Sequence, residues 1–391
     1  MSGALDGVTV LSLEQATVLP FLTYRLACDG ARVIRVENAA HPDPNRFVGR
    51  DVLGEPAMRS YFLPNNCGKE AITLNLAEAE GRALLLELLR ALRVDVFATN
   101  QRPRSYARLG IDYPTLAAVV PALVWLGISG FGPGHDEAAY DPILQARAGF
   151  MELTGEPDGP PTVFGLPMVD LGAAEHGYGE LLKALYRRAR TGRGARVDVS
   201  MLRSAVSWMI APLALARGLG ERVARRGNTH QFFAPVAVFA TRDAWVYVAV
   251  GNDAQWAALA RLPALAGVDR PEYAANAGRI ADAPRLHREL GARFARLAAD
   301  EALALLRGAG VPVARVATLA DVAADPLVAP TLVRVRDPRT GLEVLLPAPP
   351  AGDPPPLSFP PRLGEHNEKI YGEALGYPPE RLAELRARRI I

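Results

Sequence analysis

The chain has 391 residues, 44 basic against 42 acidic, a net charge of +2, and 49% hydrophobic against 22% charged residues. Such a chain can bury a large core, has no long-range field to draw nucleic acid or an anionic membrane, and with only Cys28 and Cys67 holds neither a disulfide framework nor a zinc site. The opening MSGALDGVTVL has no basic n-region and no apolar run reaches the ~20 residues of a membrane span, so the expectation is a cytoplasmic metabolic protein of two or three domains.

The first half alternates strand and helix signals. Gly7–Leu13 alternates like a strand, Pro20–Cys28 reads as a helix with Pro in its first turn, and Ala31–Glu37 reads as a second strand after the Asp29-Gly30 turn. This βαβ pattern predicts parallel strands with a right-handed crossover. Ala77–Leu92 follows as an amphipathic helix, then strands at Val94–Thr99 and Leu123–Ser129. A long helix runs from about Asp170 to Arg190, with arginines near its end and Gly192 beyond, and Arg196–Met201 is strand-like. Alternating βα units predict an α/β domain with a mostly parallel sheet.

After a helical segment at Leu202–Leu219, the polar stretch Gly220–Asn228 reads as a linker. Val236–Ala240 and Trp245–Val250 read as paired strands around Thr241-Arg242-Asp243, followed by helices at Ala254–Arg261 and Pro284–Leu306 and a short helix at Asp321–Asp325. Strands at Thr331–Arg336 and Leu342–Leu346 flank a turn at Asp337–Gly341. The next stretch, LPAPPAGDPPPLSFPPRLG, is so dense in proline that it predicts an extended strap with few backbone donors, crossing the surface before further helices. The domains expected are a large one over 1–219, a smaller α+β one over 220–330, and a C-terminal portion over 331–391 that returns to the large one.

Several constellations fall short of a site. Gly127-Ile-Ser-Gly130-Phe-Gly132-Pro-Gly134 matches no phosphate-loop pattern, and Ser129 fails the nucleophile-elbow spacing at Phe131. The six histidines are scattered, so no metal is expected, and His135-Asp136 reads as an exposed turn. All but three of the basic residues (Lys69, Lys183 and Lys369) are arginines, which reads first as a compositional bias. One carboxylate stands out. Asp170, in Gly165-Leu-Pro167-Met-Val-Asp170-Leu-Gly172, lies among apolar residues where the long helix opens. It reads equally as a helix N-cap and as a carboxylate oriented and activated at a helix N-terminus.

At these residues the chain resembles the class III CoA-transferases, the formyl-CoA transferase or CaiB/BaiF family. LDGVTVLSL with ARVIRVE is similar to the family's opening βαβ, NNCGKEAITLNL to its N-x-x-K signature, and VFATNQRPRSYARLGIDY to its E-N-F-R-P…R-L-G stretch. AYDPILQARAGFMELTGEPDGPP with GLPMVDLGAA is the strongest block, and RLGEHNEKIYGEALGYPPERL resembles the family's ending. The resemblance implies a Rossmann-like large domain, a smaller domain, and a homodimer whose two subunits interlock, with the strap passing between domains. It implies acyl-CoA as donor substrate, a carboxylic acid as acceptor, and an aspartyl-CoA thioester on Asp170. It implies coenzyme A contacts at Asn38, Leu74, Leu76, Asn100, Gln101, Arg102, Arg108, Ala138 and Tyr140, with Arg102 and Arg108 toward phosphate and Arg104 solvated.

Three positions depart from the family pattern. Val18-Leu19-Pro20 replaces an Ala-Gly-Pro turn, so that Gln15 to Val18 need not contact CoA in the usual way. Thr99 replaces a Glu, and Gly251-Asn252-Asp253 stands where a glycine-rich loop covers the site in formyl-CoA transferases, which speaks against an oxalate/formate pair. The rival within the same fold is an α-methylacyl-CoA racemase. Racemisation needs two acid/base groups, and that branch has a His-Asp pair where this chain has Tyr140-Asp141. A CoA-binding protein without catalysis is the non-enzymatic rival.

Overall fold

A computed structural model describes residues 3–391. In chain order the first part folds as β1 (Thr9–Leu13), α1 (Val18–Cys28), β2 (Arg32–Glu37), β3 (Lys69–Thr73), α2 (Ala79–Ala91), β4 (Val96–Thr99), α3 (Tyr106–Leu109), α4 (Tyr113–Val119), β5 (Val124–Ser129), α5 (Asp141–Arg147), α6 (Phe150–Leu153), α7 (Met168–Thr191), β6 (Ala195–Ser200) and α8 (Met201–Ser207). The six strands form one parallel sheet in the order β3-β2-β1-β4-β5-β6. Parallel strands are covered on both faces, which is why Val10, Leu11, Val33, Ile34, Val96, Phe97 and Leu126 are all buried. The chain winds away from β1 in both directions, through β2 on one side and β4 on the other. Such a reversal leaves a crevice beyond the carboxyl ends of the strands.

Two units emerge from the contacts. One holds residues 1–148, 164–220 and 331–391, and the other holds 149–163 with 221–330. The stretch read as a linker is therefore tied down. Arg225 N–H donates to Glu152 O at 3.0 Å and Gly227 N–H to Gly155 O at 2.8 Å, fixing 149–163 beside it. The helix expected over Leu202–Leu219 breaks into α8, α9 (Ile210–Leu213) and a π-helical turn at Ala214–Gly218. Pro212 accounts for the break, since its ring cannot pack against the carbonyl four residues back at Trp208.

In the second unit β7 (Val236–Ala240) and β8 (Trp245–Ala249) pair antiparallel, followed by α10 (Asp253–Ala260), α11 (Asn276–Ala281), α12 (Ala283–Phe294), α13 (Ala299–Gly308), β9 (Val313–Arg315) and α14 (Leu319–Ala324). β9 pairs antiparallel with β8 and was not expected. The single helix read over Pro284–Leu306 is two. Asp243, in the β7–β8 turn, accepts from Ala299 N–H at 2.8 Å and so caps α13 where a continuous helix would have run.

The C-terminal part returns to the first unit as an antiparallel hairpin of β10 (Leu332–Arg336) and β11 (Glu343–Pro347), the proline strap, and α15 (Pro379–Ala387). The strap is held on this unit, where Ser358 O accepts from Gly68 N–H at 2.8 Å and Pro361 O from Arg46. β3, also unexpected, is the sheet's edge, and the C-terminal segment covers it. His366 N–H donates to Ala71 O, His366 Nδ1 accepts from Ala71 N–H, and Asn367 Oδ1 accepts from Thr73 N–H. That pairing satisfies backbone groups which an open edge would expose. No helix among the described residues is long and apolar enough to cross a membrane.

Candidate active site

Two adjoining clefts open beyond the carboxyl ends of the strands, both within the first unit. The first is lined by the loop after β1 (Gln15, Ala16), the loop after β4 (Asn100–Pro103), the end of β5 (Ser129, Gly130), residues His135 to Asp141, and Asp170. The second is lined by Leu13 to Gln15, Val36, Glu37, Asn38, Leu74, Leu76, Gln101 and Arg108. Gln15 and Gln101 belong to both, so the two form one groove. All the positions singled out from the sequence line it. Asp170, Asn100, Arg102, Ala138 and Tyr140 stand at one end, Asn38, Leu74, Leu76 and Arg108 at the other, with Gln101 between. Arg104 lines neither cleft and is exposed. His135 and Asp136, read as a solvent-facing turn, are exposed but border the end that holds Asp170.

The groove's walls are fixed by polar side chains turned on the backbone. Asn100 accepts from Gln15 N–H at 3.1 Å and donates to Gln15 O at 2.7 Å, so both its polar atoms hold the loop after β1. The next residue, Ala16, has φ +62°, a left-handed conformation unusual for a residue with a Cβ. It is held there by Asp43, which accepts from its N–H at 3.0 Å, and Asn45, which donates to its carbonyl at 2.7 Å. Asn38 is likewise engaged, accepting from Ala40 N–H and donating to Asn75. Arg102 and Arg108 are exposed, and neither guanidinium has a carboxylate partner among the described residues.

Beneath the Arg108 end lies a buried ionic cluster. Lys69 Nζ donates to Glu14 at 2.8 Å, Arg35 pairs with Asp43 at 3.0 Å, and Arg46 pairs with Glu37 at 2.6 Å. Three carboxylates face three cations, so the cluster is neutral and its charges are paired, as buried ions must be. Burial alone would raise the Glu14 carboxyl, but Lys69 and Arg35 outweigh it and hold it below its ordinary value. Burial pulls Lys69 down to about 8 against the pull of Glu14.

Asp170 is the third residue of α7, not its cap. The cap position is Pro167, which has no side chain able to accept a hydrogen bond. Among the described residues nothing donates to the Asp170 carboxylate. Burial and then the neighbouring Asp141 push its pKa up to about 7. A carboxylate without donors in such surroundings is a basic, poorly solvated nucleophile, half-ionised near neutral pH.

A family model for CoA-transferase family III matches residues 5–367. The chain belongs to CoA-transferase family III. The enzyme is similar to an acetyl-CoA:oxalate CoA-transferase of Acetobacter aceti, at 37% identity over 83% of both chains. It is similar to a succinyl-CoA:glutarate CoA-transferase of Homo sapiens, at 30% identity over 97% of this chain and 88% of that protein. Among solved structures, a CAIB/BAIF family protein from Brucella suis shares the fold with a TM-score of 0.84 and 31% identity, covering 96% of this chain and all of that one.

Reading the sequence of this CoA-transferase misses Asp141 and the loop Gln15 to Val18 as parts of the cleft. Asp141 draws notice from the sequence only beside Tyr140, against the racemase pair, because an acidic residue that opens a helix before Pro142 is ordinary. The loop's signal, a positive φ at Ala16, lies in its partners Asp43 and Asn45 and not in its own residue type. No group of three or more potential metal ligands occurs among the described residues.

Proposed function

We propose that this CoA-transferase moves coenzyme A from an acyl-CoA thioester to a free carboxylic acid through covalent intermediates on Asp170. The observation that carries this is the donor-free Asp170 carboxylate at one end of the groove, its pKa pushed up to about 7. In the first step an Asp170 oxygen attacks the thioester carbonyl carbon and the C–S bond breaks, giving a mixed anhydride and CoA thiolate. The thiolate then attacks the aspartyl carbonyl of that anhydride. The donor acid leaves as its carboxylate, and an aspartyl-CoA thioester remains. The acceptor carboxylate attacks this thioester, and the same two steps in reverse release the new acyl-CoA and free Asp170. A carboxylate is the side chain that can pass through both an anhydride and a thioester and be regenerated. Each step builds an oxyanion, and losing one backbone donor to it typically costs about 3–4 kcal/mol of barrier.

The rest of the groove suits a long, anionic thioester. Leu74, Leu76 and Val36 offer an apolar floor for a base, Arg108 and Arg102 offer unpaired guanidinium groups for phosphates, and Ala138 and Tyr140 stand beside Asp170 for the thiol end. The same reading includes a cytoplasmic homodimer of interlocked subunits. It is supported by the run of exposed apolar side chains at Trp208, Ile210, Leu213 and Leu219, more than a lone surface needs.

Exchange of labelled acids against succinyl-CoA and acetyl-CoA tests this reading. Asp170→Ala is expected to abolish exchange, and exchange that survives this change contradicts it. Deuterium entering the α-carbon from solvent, with no acceptor acid present, would assign racemase chemistry instead, with His135 on the cleft rim as a second proton carrier.

A further inference from the structure

Helix α7 is capped from elsewhere in the chain. Pro167 at its cap position offers no side-chain acceptor, and the first free N–H groups of the helix belong to Val169 and Asp170. Both donate to one oxygen of Asp141, at 2.7 and 3.0 Å. The other Asp141 oxygen accepts from Gln145 Nε2 at 2.5 Å. Gln145 in turn fixes the approach to the helix, because its Oε1 accepts from Phe164 N–H at 2.9 Å and its Nε2 also donates to Leu166 O at 3.2 Å. Asp141 and Gln145 are 6% and 1% exposed, one turn apart on α5.

This arrangement reverses what a first-turn aspartate ordinarily enjoys. A carboxylate there is stabilised by the free N–H groups and by the positive end of the helix dipole, and both effects lower its basicity. Here a second carboxylate has taken those N–H groups and sits against the positive end itself. We propose that Asp141, clamped by Gln145, is a positioning residue for the transfer reaction: it occupies the helix terminus so that the Asp170 carboxylate is left undonated, facing the groove and basic enough to attack. The proposal rests on Asp170 being the nucleophile.

The other charged groups around this end are Asp136, Glu137, His135 and Arg102. Glu137 is paired with Arg147 at 2.6 Å, and neither Arg102 nor His135 donates to Asp170 among the described residues. Asp141 is thus the charge in closest relation to Asp170, and its removal has a signature that a structural role lacks.

The test is the pH profile of Asp170 acylation in a single turnover with acetyl-CoA, alongside steady-state exchange. The wild-type enzyme is expected to lose rate as pH falls through about 7, as Asp170 takes up its proton. In Asp141→Asn the acid limb is expected to move down by about one pH unit or more, with the plateau lowered about tenfold because the nucleophile is less basic. In Gln145→Met, which keeps the charge of Asp141 but cuts its clamp, the limb is expected to stay while the plateau falls. A limb that stays put in Asp141→Asn with a lowered plateau would overturn the proposal and leave Asp141 a structural cap only. If Asp141→Asn does not fold, Gln145→Met decides, and a wild-type plateau there would overturn the clamp. Exchange surviving in Asp170→Ala would instead remove the reading beneath it, so the two failures are distinguishable.

Discussion

Asp170 lies where its neutral form is favoured, and this has a consequence for stability as well as for chemistry. Its pKa in the folded protein, about 7, lies above the ordinary 3.8, chiefly through burial and secondarily through Asp141. The folded state therefore holds this proton more tightly than the unfolded chain does. Stability is full below about pH 4 and is lost as pH rises toward 7, by at most about 4 kcal/mol from a three-unit shift. Asp170→Asn is expected to raise the denaturation midpoint at pH 8 and to match the wild type near pH 4, as read by thermal melts at both values. The sequence shows Asp170 as a residue of interest, because an acid among Leu-Pro-Met-Val and Leu-Gly-Ala-Ala is out of place on apolar grounds. It does not show why this acid is basic. The causes are burial and then Asp141, twenty-nine residues away, whose contacts with α7 depend on how the two helices pack.

At the scale of elements, the regular βα units are legible because each carries its own hydrophobic period. β1, α1, β2, α2, β4, β5 and β6 fall within a residue or two of their expected ends. What escapes is what other parts of the chain decide. β3 opens with the charged pair Lys69-Glu70, and a strand can bury Lys69 there only because Glu14, in another part of the chain, neutralises it. The break between α12 and α13 is set by Asp243 in another element. The cleft's wall is similarly cooperative. A Cβ on Gly130, at the end of β5, would lie 2.2 Å from the Ala139 Cβ, so the segment carrying Ala138 and Tyr140 can reach its position only against a glycine. Gly130→Val is expected to displace that segment and to lower kcat/KM for acyl-CoA by about tenfold or more, in steady-state exchange against the wild type.

Across the molecule, the first unit is closed by residues far apart in sequence. Arg362, near the end of the strap, pairs with Glu55 and with the fully buried Asp337 of the β10–β11 turn, each at 2.7 Å. Hydrogen bonds from Arg362 hold the Asp337 carboxyl well below the ordinary range, with a smaller push upward from burial. This depressed pKa supplies stability above about pH 4 that is lost as pH falls further. Arg362→Ala leaves Asp337 buried without its cation, and urea denaturation at pH 7 is expected to show a loss of about 3 kcal/mol, at the lower end for a broken buried pair because Thr340 still donates to Asp337. The same closure brings the C-terminal residues onto the edge of the sheet whose far ends hold the groove. The most direct measurement on the central claim is the mass of the intact protein after incubation with acyl-CoA and no acceptor acid. A gain equal to coenzyme A less water, discharged by hydroxylamine to a hydroxamate on Asp170 and absent in Asp170→Asn, is the predicted result. No adduct while exchange proceeds, or a hydroxamate on another residue, would contradict it.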